Sequence, residues 1–234
     1  MTIFKFALLR NVRTPTVLVA NWVAPLLIML LPGLWNEAVT ETGVWTFGLY
    51  LLAMQIMISA ATLGRRILSD RVEGTIYRIL SCPVTMLSYF TQNLLAIILP
   101  LFVQIVVMVF LGKIMHSWEM TFSLLLILCY TVFAVASVAA SFAWSCLFKS
   151  RSTSSATYTL VVILFGTVGG FWMPLSILPN YIRYLGMLFP PYWISNSIYT
   201  LQSVGLTRDY WISLLAMLLF ATIYLLFGGK RRIV

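Results

Sequence analysis

Apolar residues run along this chain in blocks of roughly twenty, the length that a bilayer core requires of a helix, separated by short polar intervals. Six blocks stand out: residues 16–34, 44–64, 93–112, 121–147, 154–173 and 210–228. The pattern predicts an all-α polytopic membrane protein with six transmembrane helices. A β-barrel would instead alternate polar and apolar residues within each strand. No interval is long enough to hold a soluble domain, so residues 1–234 read as one transmembrane domain. Ahead of the first block, residues 1–15 place Ile3, Phe4, Ala7, Leu8 and Val12 near one helical face, with Lys5, Arg10 and Arg13 elsewhere. That predicts a helix lying in the membrane interface. A signal peptide is the competing reading. The run from Thr16 is too long for one, contains Pro25 and Pro32, and is followed by no Ala-x-Ala-like site.

The contrast between polar and apolar is sharpest at residues 65–92, between the second and third blocks. This interval carries Arg65, Arg66, Asp70, Arg71, Glu73 and Arg78. On a helix, Leu68, Val72, Ile76, Ile79 and Leu80 share one arc, while Arg66, Asp70, Arg71, Glu73, Tyr77 and Arg78 take the other side. Arg66 and Asp70, four apart, can pair across a turn. Gly74 disfavours helix mid-pattern. A break is expected there, with Thr75 capping a second short helix that stops before Pro83. The expected result is an amphipathic elbow on the membrane surface with a charged ridge toward the cytosol. The plainer alternative is a polar loop whose charges only fix topology.

The other long interval, residues 174–209, is punctuated by Pro174, Pro179, Pro190 and Pro191. Its apolar pieces are too short to span. Trp172, Tyr181, Tyr184, Tyr192, Trp193 and Tyr199 suit the head-group layer. A pair of short re-entrant or interfacial helices is expected, tolerable at depth only when packed on protein. A simple surface anchor is the alternative.

Composition agrees with the pattern. Apolar residues make up 61% of the chain and charged ones 9%, against about 25% charged in soluble domains. The net charge of +9 is spread over span ends rather than gathered on one face, which argues for the membrane and against nucleic acid. With a cytoplasmic N-terminus, Lys5, Arg10, Arg13, Arg65, Arg66, Arg71, Arg78, Lys149, Arg151, Lys230, Arg231 and Arg232 lie inside. Only Lys113, Arg183 and Arg208 lie outside, a split of 12 to 3. The positive-inside rule therefore predicts both termini in the cytoplasm.

Several chemistries lack their residues. Cys82, Cys129 and Cys146 offer neither a disulfide framework nor metal spacing, and His116 is the only histidine. No block has a Lys, Arg, Asp or Glu at its middle, where ion-coupled transporters place a titratable group. Gly228-Gly229-Lys230 is followed by Arg231, so it is no phosphate-binding loop. What remains is mild polarity. Asn21, Gln55 and Ser59 are the candidate lining of a weakly polar path for an amphiphilic solute, with helix packing as the alternative role. Ser137 and Ser141 among Ala134, Ala136, Ala139, Ala140 and Ala143 make the fourth block small-sided and suited to close packing. Gly166, Gly169 and Gly170 would let the fifth block bend or admit a neighbour.

Two short motifs then carry a family resemblance: Asp70-Arg71-Val72-Glu73-Gly74-Thr75 with Leu80 and Pro83, and Gly170-Phe171-Trp172-Met173-Pro174-Leu175 with Leu178-Pro179. In register with six blocks, they make the chain resemble the transmembrane subunit of a bacterial ABC-2 type exporter of the drug- or antibiotic-efflux kind. Phe189-Pro190-Pro191 departs from the Asn-Pro that such proteins often carry there. The resemblance implies that the elbow is a coupling helix, with Asp70, Arg71, Glu73, Gly74, Thr75 and Arg78 meeting a separate ATP-binding cassette subunit. It implies a second transmembrane subunit, as homodimer or heterodimer, and an outer gate built from Phe171, Trp172, Pro174 and Pro179. ATP and Mg would sit on the partner, with no cofactor on this chain, in the bacterial cytoplasmic membrane. The expected activity is export of a hydrophobic or amphiphilic drug, antibiotic or antimicrobial peptide. Lipid or glycan export is the alternative within the family. A secondary transporter and a membrane scaffold are the rivals outside it.

Overall fold

The computed structural model describes residues 2–13, 41–75, 86–172 and 179–230. Eight helices are present among the described residues: α1 (Thr2–Arg13), α2 (Glu41–Val72), α3 (Met86–His116), α4 (Met120–Ser145), α5 (Arg151–Val168), α6 (Asn180–Gly186), α7 (Pro190–Ser203) and α8 (Arg208–Lys230). Four contain a stretch long and apolar enough to cross a membrane: Gly48–Val72, Thr91–Met115, Met120–Ser145 and Arg208–Gly228. These correspond to the second, third, fourth and sixth apolar blocks. The fifth corresponds to α5, of 18 residues, which opens with the hydroxyl-rich Arg-Ser-Thr-Ser-Ser-Ala-Thr. The first block, with Asn21, lies outside the described residues.

Helix α4 is the central post, packed by α2, α3, α5, α7 and α8. Its small residues explain why. Ala134, Ala136, Ser137, Ala139, Ser141 and Ala143 are all buried, so neighbouring backbones can come close on several sides. Where apolar lipid removes the hydrophobic drive between helices, such close van der Waals packing is what holds them together. The approach is tightest at two glycines on the neighbours. A Cβ at Gly64 of α2 would lie 2.7 Å from the Ser141 carbonyl oxygen, and one at Gly228 of α8 would lie 2.5 Å from the Phe142 ring. The Gly64 N–H also donates to Ser141 Oγ at 3.2 Å. Tyrosine hydroxyls fasten the other half of the bundle. Tyr130 donates to the Leu49 carbonyl at 2.7 Å and Tyr210 to the Leu125 carbonyl at 2.8 Å.

One end of the bundle gathers the C-termini of α2, α4 and α8 and the N-termini of α3 and α5, and is called here the basic end. Helix α1 packs against α3 at this end. The Phe4 N–H, which has no intrahelical acceptor in the first turn of α1, donates to Gln92 Oε1 at 3.1 Å. Arg66 of α2 donates to the Ala7 carbonyl at 3.4 Å.

At the far end, α5 closes with a Schellman turn. Gly170 takes φ +86°, its N–H reaches the Thr167 carbonyl at 3.2 Å, and the Phe171 N–H reaches the Gly166 carbonyl at 2.9 Å. Positive φ at this position is what glycine tolerates and other residues resist. Helices α6 and α7 then form the expected pair of short helices. Pro191 sits against Gly169, where a Cβ would meet the Pro191 Cβ at 2.5 Å, and Phe189 stacks on Phe165 with centroids 3.9 Å apart. Ile194, Ser195 and Ile198 of α7 are buried, and Asn196 Nδ2 donates to Ser213 Oγ of α8 at 3.0 Å.

Candidate functional site

The charged interval opens as a direct continuation of α2. The sequence suggested that the second span stops at Gly64 and a separate surface helix follows, but one helix runs from Glu41 to Val72. Arg65 and Arg66 do not break it, because a long basic side chain can leave the apolar layer without disturbing the backbone. The break comes at Gly74, as expected. Its φ is +69°, the Glu73 N–H still reaches the Ser69 carbonyl at 2.9 Å, and the Gly74 N–H reaches the Arg71 carbonyl at 3.1 Å. Among the described residues no atom stands within 4 Å of where a Gly74 side chain would begin, and the positive φ by itself selects glycine. Thr75 is partly buried. Ile76, Tyr77, Arg78, Ile79, Leu80, Cys82 and Pro83, and with them the second half of the elbow, lie outside the described residues.

The two faces of this end differ from a helical wheel. Leu68 is buried, as the apolar arc requires, but Val72 at the last helical residue is 56% exposed. Asp70, assigned to the charged ridge, is buried instead. The reason is tertiary: Tyr89 of α3 covers that side and donates its hydroxyl to Asp70 Oδ2 at 2.5 Å. A buried carboxylate so bonded ties the elbow's two flanking helices together. Arg71 is partly buried.

Glu73 is the acidic residue left on the surface. Arg151 donates to its carboxylate at 2.6 Å, and the two side chains are 43% and 52% exposed. Ser69 Oγ donates to the same oxygen at 3.2 Å, and Arg151 also reaches the Ser69 carbonyl at 3.4 Å. Both ends of this pair make electrostatic sense. Arg151 is the first residue of α5, where the positive helix terminus disfavours a cation, and Glu73 offsets that. The Ser69 carbonyl belongs to the negative C-terminus of α2, which favours one. In water such a pair contributes at most about 1 kcal/mol. It joins the elbow to the start of α5, 78 residues away in sequence.

The candidate path residues lie deeper. Gln55 and Ser59 are buried on one face of α2, and Gln55 Nε2 donates to Ser59 Oγ at 3.3 Å. Thr62 Oγ1 donates to the Ser59 carbonyl at 2.7 Å. Together they make a polar ladder inside the protomer. Of the candidate gate residues, Phe171 is buried and meets Phe133 edge-on at 6.4 Å. Trp172 is exposed. Pro179 precedes α6, its carbonyl accepting from the Ile182 and Arg183 N–H groups at 3.0 and 3.1 Å. Pro174 lies outside the described residues. Among the described residues no cluster of His, Cys, Asp and Glu is grouped as a metal site would be.

A helical bundle with spanning-length apolar helices, a charged turn at one end and a packed pair of short helices toward the other defines a polytopic membrane protein. The chain belongs to the ABC-2 transporter family: the model described as ABC-2 family transporter protein matches residues 23–230. Members of this family are the membrane subunits of ABC transporters, working with an associated ATP-binding subunit. A comparison with curated proteins gives no match.

Proposed function

We propose that this chain is the permease subunit of an ATP-driven exporter, with six spans, in the bacterial cytoplasmic membrane. It moves a hydrophobic or amphiphilic solute outward and pairs with a second transmembrane subunit. The observation that carries the coupling role is the turn at Glu73-Gly74. Two long helices, α2 and α3, lead directly into this interval, and the Asp70–Tyr89 bond joins them beside it. A push on this turn is therefore delivered to two candidate spans at once. Such rigid helices are what a nucleotide-driven two-state mechanism needs to carry a displacement through the membrane. Asp70 acts within the elbow as a brace, while Glu73, Gly74, Thr75, Arg71 and Arg78 are the residues offered to the ATP-binding subunit.

The α6–α7 pair is the proposed outer gate. Phe165 lies 14 residues beyond Arg151, so its stack with Phe189 stands roughly 21 Å from the basic end at 1.5 Å per residue. Against a hydrocarbon core of about 30 Å, that distance supports re-entry over a surface anchor. Phe171 and Trp172 lead from the end of α5 toward this pair, and Gln55 and Ser59 are the proposed polar lining of the path.

Export requires the basic end to face the cytoplasm. Single-cysteine labelling in a cysteine-free background tests this in intact cells. Positions 41 and 183 should react with an impermeant reagent from outside, and position 151 only after the membrane is opened. Labelling of position 151 from outside would invert the topology and remove the proposed coupling turn from its partner.

A further inference from the structure

Helix α5 packs more closely on α2 than on α4, and a cavity of about 390 Å³ lies between α4, α5 and α8. Its walls are almost wholly apolar, from Met57, Ala140, Val161, Phe165, Tyr224 and Phe227 among others. Two side-chain polar atoms on this wall, Ser137 Oγ and Trp144 Nε1, are buried and have no hydrogen-bond partner among the described residues, and the buried Tyr158 OH has at most the Ser141 hydroxyl beside it. Ser137 and Tyr158 are more than nine-tenths buried. Buried polar groups are normally satisfied, and orphans sharing one cavity mark a missing partner. Trp144 and Tyr158 share one end of the cavity, with ring centroids 6.2 Å apart. Ser137 lies two turns deeper along α4.

The chemistry of the missing partner follows. Ordered water needs two to four polar neighbours per molecule, and walls this apolar cannot supply them through such a volume. An apolar body fits, carrying an acceptor at the end where Trp144 and Tyr158 sit, since indole N–H can only donate. Among the described residues no charged side chain lines the cavity. The exposed wall residues Leu147, Ile223 and Phe227 are apolar, so the cavity opens on the side that faces lipid. Trp144 is one residue from the end of α4, at the depth of the interface. Behind the Trp144–Tyr158 pair lies a second pocket, only water-sized, lined by Arg65, Ser154 and Ser155.

We propose that this cavity is a phospholipid site. One acyl chain of a lipid in the leaflet at the basic end fills the space between α4, α5 and α8. Its ester carbonyl accepts hydrogen bonds from Trp144 Nε1 and Tyr158 OH, and the head group lies toward Arg65. The proposal rests on reading these helices as membrane spans. It concerns a space within one subunit and is independent of the identity of the exported solute.

The test uses the full chain in nanodiscs of phosphatidylglycerol and phosphatidylethanolamine, doped with a phospholipid bearing a mid-chain diazirine. After irradiation, labelled residues are mapped by mass spectrometry. Val161, Tyr224 and Phe227 should carry severalfold more label than the exposed apolar residues Leu95, Leu99, Leu215 and Leu219. The double variant Trp144→Phe with Tyr158→Phe should bring that excess down toward the level of the outer residues, and Ala140→Leu should reduce it by narrowing the cavity. Even labelling over all seven positions in the wild type overturns the proposal, as does an excess that both variants leave unchanged. Should Leu95, Leu99, Leu215 and Leu219 take no label at all, it is the membrane reading that fails.

Discussion

Glu73→Ala should lower partner-stimulated ATP hydrolysis and efflux together, by roughly ten- to a hundredfold, while Arg151→Ala leaves both near wild type. The asymmetry separates two roles for one carboxylate. In the free subunit Glu73 is held by Arg151 in an exposed pair, worth at most about 1 kcal/mol. Docked into a groove that excludes water, the same carboxylate would make charge-assisted hydrogen bonds worth about 1.5–3 kcal/mol. Exchange from Arg151 to the partner is then favourable, and its loss weakens docking by about tenfold per 1.4 kcal/mol. If Glu73 only steadied the start of α5, both single variants would have the same effect, and the double variant would add nothing. Equal effects at matched membrane abundance would remove Glu73 from the docking surface.

A second large effect is expected at Gly169. Any side chain there meets Pro191 Cβ at 2.5 Å, the Phe165 carbonyl oxygen at 2.8 Å and the Pro191 carbonyl carbon at 2.9 Å. Two of these atoms are backbone and cannot swing aside. Overpacking of this kind costs about 1–3 kcal/mol, occasionally more, and Gly169→Val should sharply reduce the folded protein recovered from membranes. Gly48→Ala is the matched control. Its Cβ would meet no described atom within 4 Å, and alanine is the better helix former by about 1 kcal/mol. A Gly169→Val protein with the wild-type thermal midpoint would mean that α7 does not pack on the end of α5 as described.

The sequence made the central post legible because small residues on several faces of one apolar block, as in 134–143, leave few other roles for it. It made the break at Gly74 legible for a similar reason: glycine between charged residues on a helical pattern is the one position that accepts φ of +69°. Other features were hidden because they are tertiary. The inward turn of Asp70 depends on Tyr89, supplied by the next helix. The Glu73–Arg151 pair joins residues 78 apart, and neither side carries a local signal for the other. A helical wheel also cannot say where a span ends when its next residues are still helix formers, so the apolar block stops at Gly64 while the helix runs eight residues further, to Val72. Phe171, read as a gate residue from a motif, is buried against Phe133, a contact that anchors the end of α5 to α4. The orphaned Trp144 N–H and the Tyr158 hydroxyl had no trace in the apolar pattern, where each reads as one more aromatic residue.

On the proposed function, this chain transmits the work of a separate ATPase, and the nucleotide site lies on that partner. Phosphate release by the purified full-length protein in lipid nanodiscs tests that most directly, measured alone and after adding its ATP-binding cassette partner. The chain alone should release no phosphate above background, and the assembled complex should sustain hydrolysis above that of the ATPase by itself. Sustained hydrolysis by the chain alone, in a preparation shown free of contaminating ATPases, would contradict it.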